Sequence, residues 1–226
     1  MASRTLLAEL LGTATLLAVV VGSAELAGQL APDAPALALL CNTLVTGAGL
    51  LVILTALGDT GCTLNPAATL LDVGSGRLDV RRAAARMLAQ VAGAVAGVAL
   101  VHLCFALPVL AVSTTTRAAG SPVLSEWVAT TGLLFFAGRT AVVAPRQVPL
   151  VVACWVVAGY WFTSTSCFAN PAVTFARLWT STPAGIAPSS APAFLLGQLL
   201  AIPAAALLLR ASSSTTTTPG AAPPAA

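Results

Sequence analysis

Long apolar runs alternate along this chain with short polar connections, and six of the runs reach the roughly 17–25 residues that a membrane-crossing helix needs. They cover residues 6–28, 36–57, 83–112, 123–139, 142–162 and 191–209. None alternates apolar and polar positions as barrel strands do, so all six predict helices. Two further stretches, 62–73 and 167–182, are too short to cross, and each contains the triplet Asn-Pro-Ala. They follow the second and fifth runs. Residues 211–226 are Ser, Thr, Pro, Gly and Ala, a composition that predicts a disordered tail.

Composition agrees with the pattern. The chain has 226 residues, 58% of them hydrophobic and 8% charged, against about 25% charged in soluble domains. A water-soluble domain of this size would lack the charge to cover its surface. Mean hydropathy is +0.94. The N-terminal run has the early Arg4 and the small residues Gly22, Ser23 and Ala24 of a signal peptide, but Glu9 interrupts it and further spans follow. It is read as a retained first span.

The net charge of +3 rests on ten basic residues, all Arg. They form no basic arm of the kind that binds nucleic acid. Their placement sets an orientation instead. With six spans, Arg4, Arg77, Arg81, Arg82, Arg86, Arg139, Arg146 and Arg210 fall on one side, leaving Arg117 and Arg177 for the other. The positive-inside rule makes the first side cytoplasmic, with both termini inside, as in a multi-pass protein of the cell (plasma or inner) membrane. Cys41, Cys62, Cys104, Cys154 and Cys167 all lie in apolar stretches without a CxxC pair, and read as free thiols. No metal-ligand cluster, cofactor motif or nucleophile–base pair is apparent, so the chain is not read as an enzyme.

The two halves, 1–112 and 113–210, resemble each other. Leu7-Ala8-Glu9-Leu10-Leu11-Gly12-Thr13 is answered by Leu124-Ser125-Glu126-Trp127-Val128-Ala129-Thr130. Leu64-Asn65-Pro66-Ala67-Ala68-Thr69 is answered by Ala169-Asn170-Pro171-Ala172-Val173-Thr174. Three spans per half is an odd number, so the copies run in opposite directions across the membrane. Asn caps a helix, Pro suits its first position and Ala propagates it, so each triplet starts a short helix. Entering from opposite sides, the two N-termini are expected to meet near the bilayer centre. Each carries about +0.5 of an elementary charge, which opposes cations. The amides of Asn65 and Asn170 are then free to donate to passing oxygens.

These paired triplets and paired glutamates resemble the aquaporin, or major intrinsic protein, family over about residues 5–210. The resemblance implies an all-α membrane fold of six transmembrane helices plus two re-entrant half-helices, assembled as a homotetramer with one pore per subunit. It implies that Glu9 and Glu126 accept hydrogen bonds from the backbone of the re-entrant loops, since an unpartnered carboxylate in a membrane is costly. The implied partners are small neutral solutes and the lipid bilayer.

One departure concerns selectivity. Most family members have Arg directly after the second triplet; here Val173 stands there. Matching along the motif places the other filter positions at Cys167, at Ala158 (twelve residues before Asn170, with Tyr160 as the alternative) and at Thr46. Without the guanidinium and bulky rings the constriction is expected to be wider and less polar. This filter resembles that of bacterial arsenic-linked members, which share the Val and conduct arsenous acid; glycerol-like solutes and water are the other candidates. Cys62 and Cys167 each precede their Asn by three residues and read as packing or as thiol contacts for solute. Arg177, one turn beyond Val173, reads equally as a vestibule residue or an interfacial anchor, and His102 as packing. Two competing functions are a coupled secondary transporter, which also uses broken helices, and a closed structural membrane protein.

Overall fold

The computed structural model describes residues 2–213. In α1 (Ala2–Leu30), buried positions recur every third or fourth residue from Ala8 to Ala27, whereas Leu7, Leu11 and Leu26 point outward and are about half exposed. The remaining long helices are α2 (Pro35–Leu57), α4 (Val80–Cys104), α5 (Pro122–Val143), α6 (Val148–Phe162) and α8 (Ala191–Ser213). Two short ones, α3 (Pro66–Gly74) and α7 (Pro171–Ala176), complete an all-helical set in which no strand occurs among the described residues. Polarity is inverted relative to a soluble bundle. Glu9, Gln90, Glu126 and Gln198 are wholly buried, while Leu44, Val52, Leu88, Leu103 and Leu207 are exposed. Such an exterior suits lipid, and such an interior must satisfy its polar groups internally.

Close helix approach makes room for those interior groups. Helix α1 packs on α4 and α2, and α5 packs on α8 and α6. At the first crossing, a Cβ placed on Gly93 or Gly97 would meet the carbonyl of Leu10 or Ala14. At the equivalent crossing, a Cβ on Gly197 would meet the Val123 carbonyl. Small residues here let backbones touch. Gly97→Ala is therefore expected to lower stability by about 1–3 kcal/mol, the cost of overpacking, read as an earlier thermal aggregation midpoint in detergent. An unchanged midpoint would mean that α1 and α4 can separate freely.

Several expected boundaries move. The third apolar run reaches residue 112, but α4 stops at Cys104, and Ala106 and Leu110 adopt positive φ (53° and 56°) around Pro108. Residues 105–121 instead form an ordered connection: His102 bonds the Pro108 carbonyl through Nδ1 (2.7 Å) and Thr180 Oγ1 through Nε2 (2.8 Å). The fourth run continues to Val143, past residue 139. The chain breaks at Ala144, which cannot stay helical before Pro145. Helix α6 then starts at Val148 rather than 142 and spans 15 residues, about 22 Å of rise. By length and composition alone, four segments are apolar enough to cross a bilayer: Ser3–Leu30, Pro35–Thr60, Val80–Cys104 and Ala191–Ser213. Helix α6 is short, and α5 carries Glu126 and Arg139. At the C-terminus, α8 runs on through Ser213, so the first residues assigned to a disordered tail are helical; the rest of that tail lies outside the described residues.

Candidate functional site

The site is built from two loops that enter the bundle and turn into α3 and α7. In each, Asn sits extended at the N-cap (φ −151° for Asn65, −157° for Asn170) and Pro takes the first helical position. Asn65 Oδ1 accepts from the Ala67 N–H at 2.9 Å; Asn170 Oδ1 accepts from Ala172 at 3.0 Å and Val173 at 3.4 Å. The amide ends cross over. Asn65 Nδ2 donates to the Ala169 carbonyl and Asn170 Nδ2 to the Leu64 carbonyl, both at 2.8 Å. Each carboxamide carries two N–H groups, so each retains one donor beyond the crossover, and both asparagines line the same cavity.

The crossover depends on backbone strain. Leu64 and Ala169, whose carbonyls receive the bonds, both have left-handed φ (53° and 47°), as do Ser166 and Cys167 (56° and 51°). Residues with a Cβ occupy that region at a cost of about 1–3 kcal/mol and need enforcement from outside. The two glutamates supply it. Glu9 accepts the N–H groups of Thr63 (3.0 Å) and Leu64 (2.8 Å). Glu126 accepts those of Phe168 (3.0 Å) and Ala169 (2.8 Å).

Two members of this arrangement escaped the sequence reading. Gln90 Nε2 donates to Glu9 Oε2 (2.9 Å) and Thr69 Oγ1 (3.0 Å). Gln198 Nε2 donates to Glu126 Oε2 (2.6 Å) and Thr174 Oγ1 (2.8 Å). Each Gln ties its glutamate to the half-helix of the same half. The available signal was that α4 and α8 each carry one buried carboxamide in an apolar run.

A cavity of about 230 Å³ runs past the asparagines, lined on one flank by Leu50, Leu54, Val152 and Val156. A second, of about 450 Å³, opens at the α1–α2 turn beside Pro32 and Pro35. Tyr160 and Arg177 line both, and so stand where the two cavities adjoin. Thr46, Cys167 and Val173 line the first cavity, as does Cys62. Ala158 does not. It is exposed on the outside of α6. Val152, Val156 and Tyr160 recur every four residues on the cavity face, and a residue two positions from Tyr160 points away from it. Of the two alternatives on α6, it is Tyr160 that lines the cavity, with its hydroxyl 3.3 Å from Thr46 Oγ1.

Arg177 also faces inward, where it lines both cavities. It is 4% exposed, its Nε donates to the Ala184 carbonyl, and its guanidinium stacks 3.5 Å from the centroid of Phe168. His102 keeps a structural role, tying α4 to two loops. All five cysteines are free, with Cys41, Cys104 and Cys154 exposed on helix exteriors.

Tyr160→Ala removes a large ring from the wall that the two cavities share. Flux of a four-carbon polyol should rise at least about threefold relative to water, because pore width controls which solutes pass. Liposome swelling with erythritol would measure it; an unchanged ratio would place the narrowest point elsewhere.

An inverted-polarity helix bundle with two re-entrant helices and a solute-sized cavity between them defines a multi-pass membrane channel, not an enzyme. Residues 1–140 match the family model described as major intrinsic protein, and the chain belongs to that family. It is 46% identical over 199 residues to the aquaglyceroporin AqpS of Rhizobium meliloti (strain 1021), covering 88% of this chain and 85% of that protein. Aquaporin C of Dictyostelium discoideum is 33% identical over 189 residues, 76% of this chain and 68% of its own length. The fold is similar to the X-ray structure of the aquaglyceroporin from Plasmodium falciparum, with TM-score 0.68, 17% identity, and coverage of 96% of this chain and 98% of that one.

Proposed function

We propose that this channel passes water and small neutral solutes of glycerol size by passive diffusion, with Thr46, Tyr160, Cys167 and Val173 forming its filter around Asn65 and Asn170. The supporting observation is that Val173 lines the cavity where most family members have Arg, leaving a passage walled largely by apolar side chains. Along it, the spare amide donors of the two asparagines and the Thr46 hydroxyl offer exchange partners for a solute's oxygens. The 46% identity to an aquaglyceroporin favours the same solute class. Arsenous acid, neutral and bearing three hydroxyls, fits this description and belongs among the solutes to test.

Residues 1–112 and 113–210 act as inverted halves, each supplying one glutamate, one glutamine and one capping triplet. Both termini lie in the cytoplasm. The cluster of arginines at one end supports this, with Arg4 paired to Asp59 and Arg86 bonded to the Gly61 carbonyl on the same side. Four subunits assemble in the cell membrane, each with its own pore.

Stopped-flow light scattering on proteoliposomes tests the reading with water, glycerol and arsenous acid in parallel. Glycerol flux well above that of empty liposomes, and indifferent to proton or sodium gradients, is expected. Flux that follows an imposed gradient would replace the channel with a coupled transporter. Absence of flux for all three solutes would leave a structural protein.

A further inference from the structure

Arg177 is accompanied by a second arginine at the same vestibule. Arg117, on the connection between α4 and α5, also lines the 450 Å³ cavity. The two guanidiniums lie over one ring, Arg177 at 3.5 Å and Arg117 at 5.4 Å from the centroid of Phe168. Backbone carbonyls fix both. Arg117 donates through Nε to Gly185 and through a terminal nitrogen to Pro183, each at 2.7 Å, while Arg177 Nε donates to Ala184. Three consecutive carbonyls thus hold two cations side by side. The loops beneath are cross-linked by backbone bonds from Ser113 to Leu178, Ala187 to Thr115 and Ile186 to Arg177.

Neither guanidinium makes a salt bridge among the described residues, and Glu126 acts on Arg177 without contact. Among the described residues the ion pairs are Arg4–Asp59, Arg77–Asp72 and Arg82–Asp79. The hydrogen bond described for the Arg177 side chain is made by Nε, none is described for its terminal nitrogens, and the residue lines the cavity. Ser166, at positive φ on the same wall, adds a hydroxyl with no protein partner among the described bonds. Like charges held this close in a recess repel one another unless an anion joins them, and guanidinium forks match the geometry of carboxylate and sulfonate oxygens.

We propose that Arg117, Arg177 and Ser166 form a binding site for a small singly charged oxyanion at the mouth of the pore. Its occupation obstructs the passage beside Tyr160, so the anion acts as a reversible blocker of neutral-solute flux. The binding itself does not depend on which neutral solute the channel carries; only the flux readout rests on the function proposed above.

Methanesulfonate is a suitable probe, because it stays anionic across the working pH range and cannot enter the bilayer as a neutral acid. The full chain in nanodiscs would be titrated by saturation-transfer NMR on the probe's methyl group. In parallel, glycerol flux into proteoliposomes would be followed as methanesulfonate replaces chloride on both sides at constant ionic strength. A saturable methyl signal is expected, with glycerol flux halved near the half-saturating concentration. Arg177→Gln and Arg117→Gln should each raise that concentration at least about tenfold, the loss of one charge-assisted fork, and Arg177→Lys should fall between. If Arg177→Gln does not fold, Arg117→Gln carries the comparison, since that residue lies on a connecting loop. The proposal is overturned if the wild type gives no saturable signal, or if both Gln variants bind methanesulfonate as the wild type does. A protein that binds the probe but conducts no glycerol would keep the site and discard the proposed solute.

Discussion

Val173→Arg should cut glycerol flux at least about tenfold, a barrier increase of about 1.4 kcal/mol, while water flux falls much less. Val173 is 5% exposed and lines the cavity next to Asn170. An Arg there projects a fork with up to five donors into the passage. Water can exchange hydrogen bonds with that fork and move on in single file. A three-carbon polyol must fit beside it and between Tyr160 and Thr46, so size excludes it. Charge adds a second effect. Arg177 stands four residues further along and already lines this cavity. Two such cations repel, so the variant should also be less stable, and any residual cation leak should fall. Val173→Leu separates the two effects: it adds bulk without charge and should reduce glycerol flux without changing cation leak. If both variants fold and every neutral solute keeps its original ratio to water, Val173 does not belong to the filter.

The features legible in the sequence were those that the chain writes twice. Asn65 with Asn170 and Glu9 with Glu126 stood out because a capping triplet or an intramembrane carboxylate is unusual once and informative at matched positions. Gln90 and Gln198 were missed because a single amide in an apolar helix carries no spacing signal. They become interpretable only when α4 and α8 bring them to 2.9 and 2.6 Å from the glutamates. That Ala158 faces away from the cavity has a different cause. Counting twelve residues back from Asn170 treats the intervening segment as regular, but α6 ends at Phe162, and Ser166, Cys167 and Ala169 take left-handed conformations before the cap. A count through such a turn does not map onto a helix face, whereas the four-residue recurrence of Val152, Val156 and Tyr160 does. Arg177 was undecided because α7 is only six residues long and closes in a tighter turn over Arg177–Trp179, which determines where that side chain points.

Glu126→Leu should be among the most damaging single substitutions in the chain, and the cause lies in the loop rather than in the pore. The Glu126 carboxylate accepts from the backbone N–H groups of Phe168 and Ala169 and from Gln198 Nε2. Removing it leaves the two backbone donors buried without an acceptor, at about 1–3 kcal/mol for each, while Gln198 Nε2 keeps only Thr174. It also releases Ala169 from its left-handed conformation. The Ala169 carbonyl then turns away from Asn65 Nδ2, and the crossover between the two triplets loses one of its bonds. A purely local defect at α5 would lower the melting temperature and leave the surviving molecules conducting normally. The linkage through Ala169 predicts more: the folded fraction should also conduct poorly, because the α7 cap and the first-half asparagine move together. Glu126→Gln keeps one acceptor oxygen but turns an N–H toward a backbone donor, and should sit between Leu and wild type. Glycerol flux per correctly folded channel, counted after size-exclusion purification, distinguishes the two outcomes. Full flux per folded channel in Glu126→Leu would reduce the glutamate to a stability element. A matched loss in Glu9→Leu, through Leu64 and Asn170 in the opposite sense, would show that the two halves hold each other's pore residues in place.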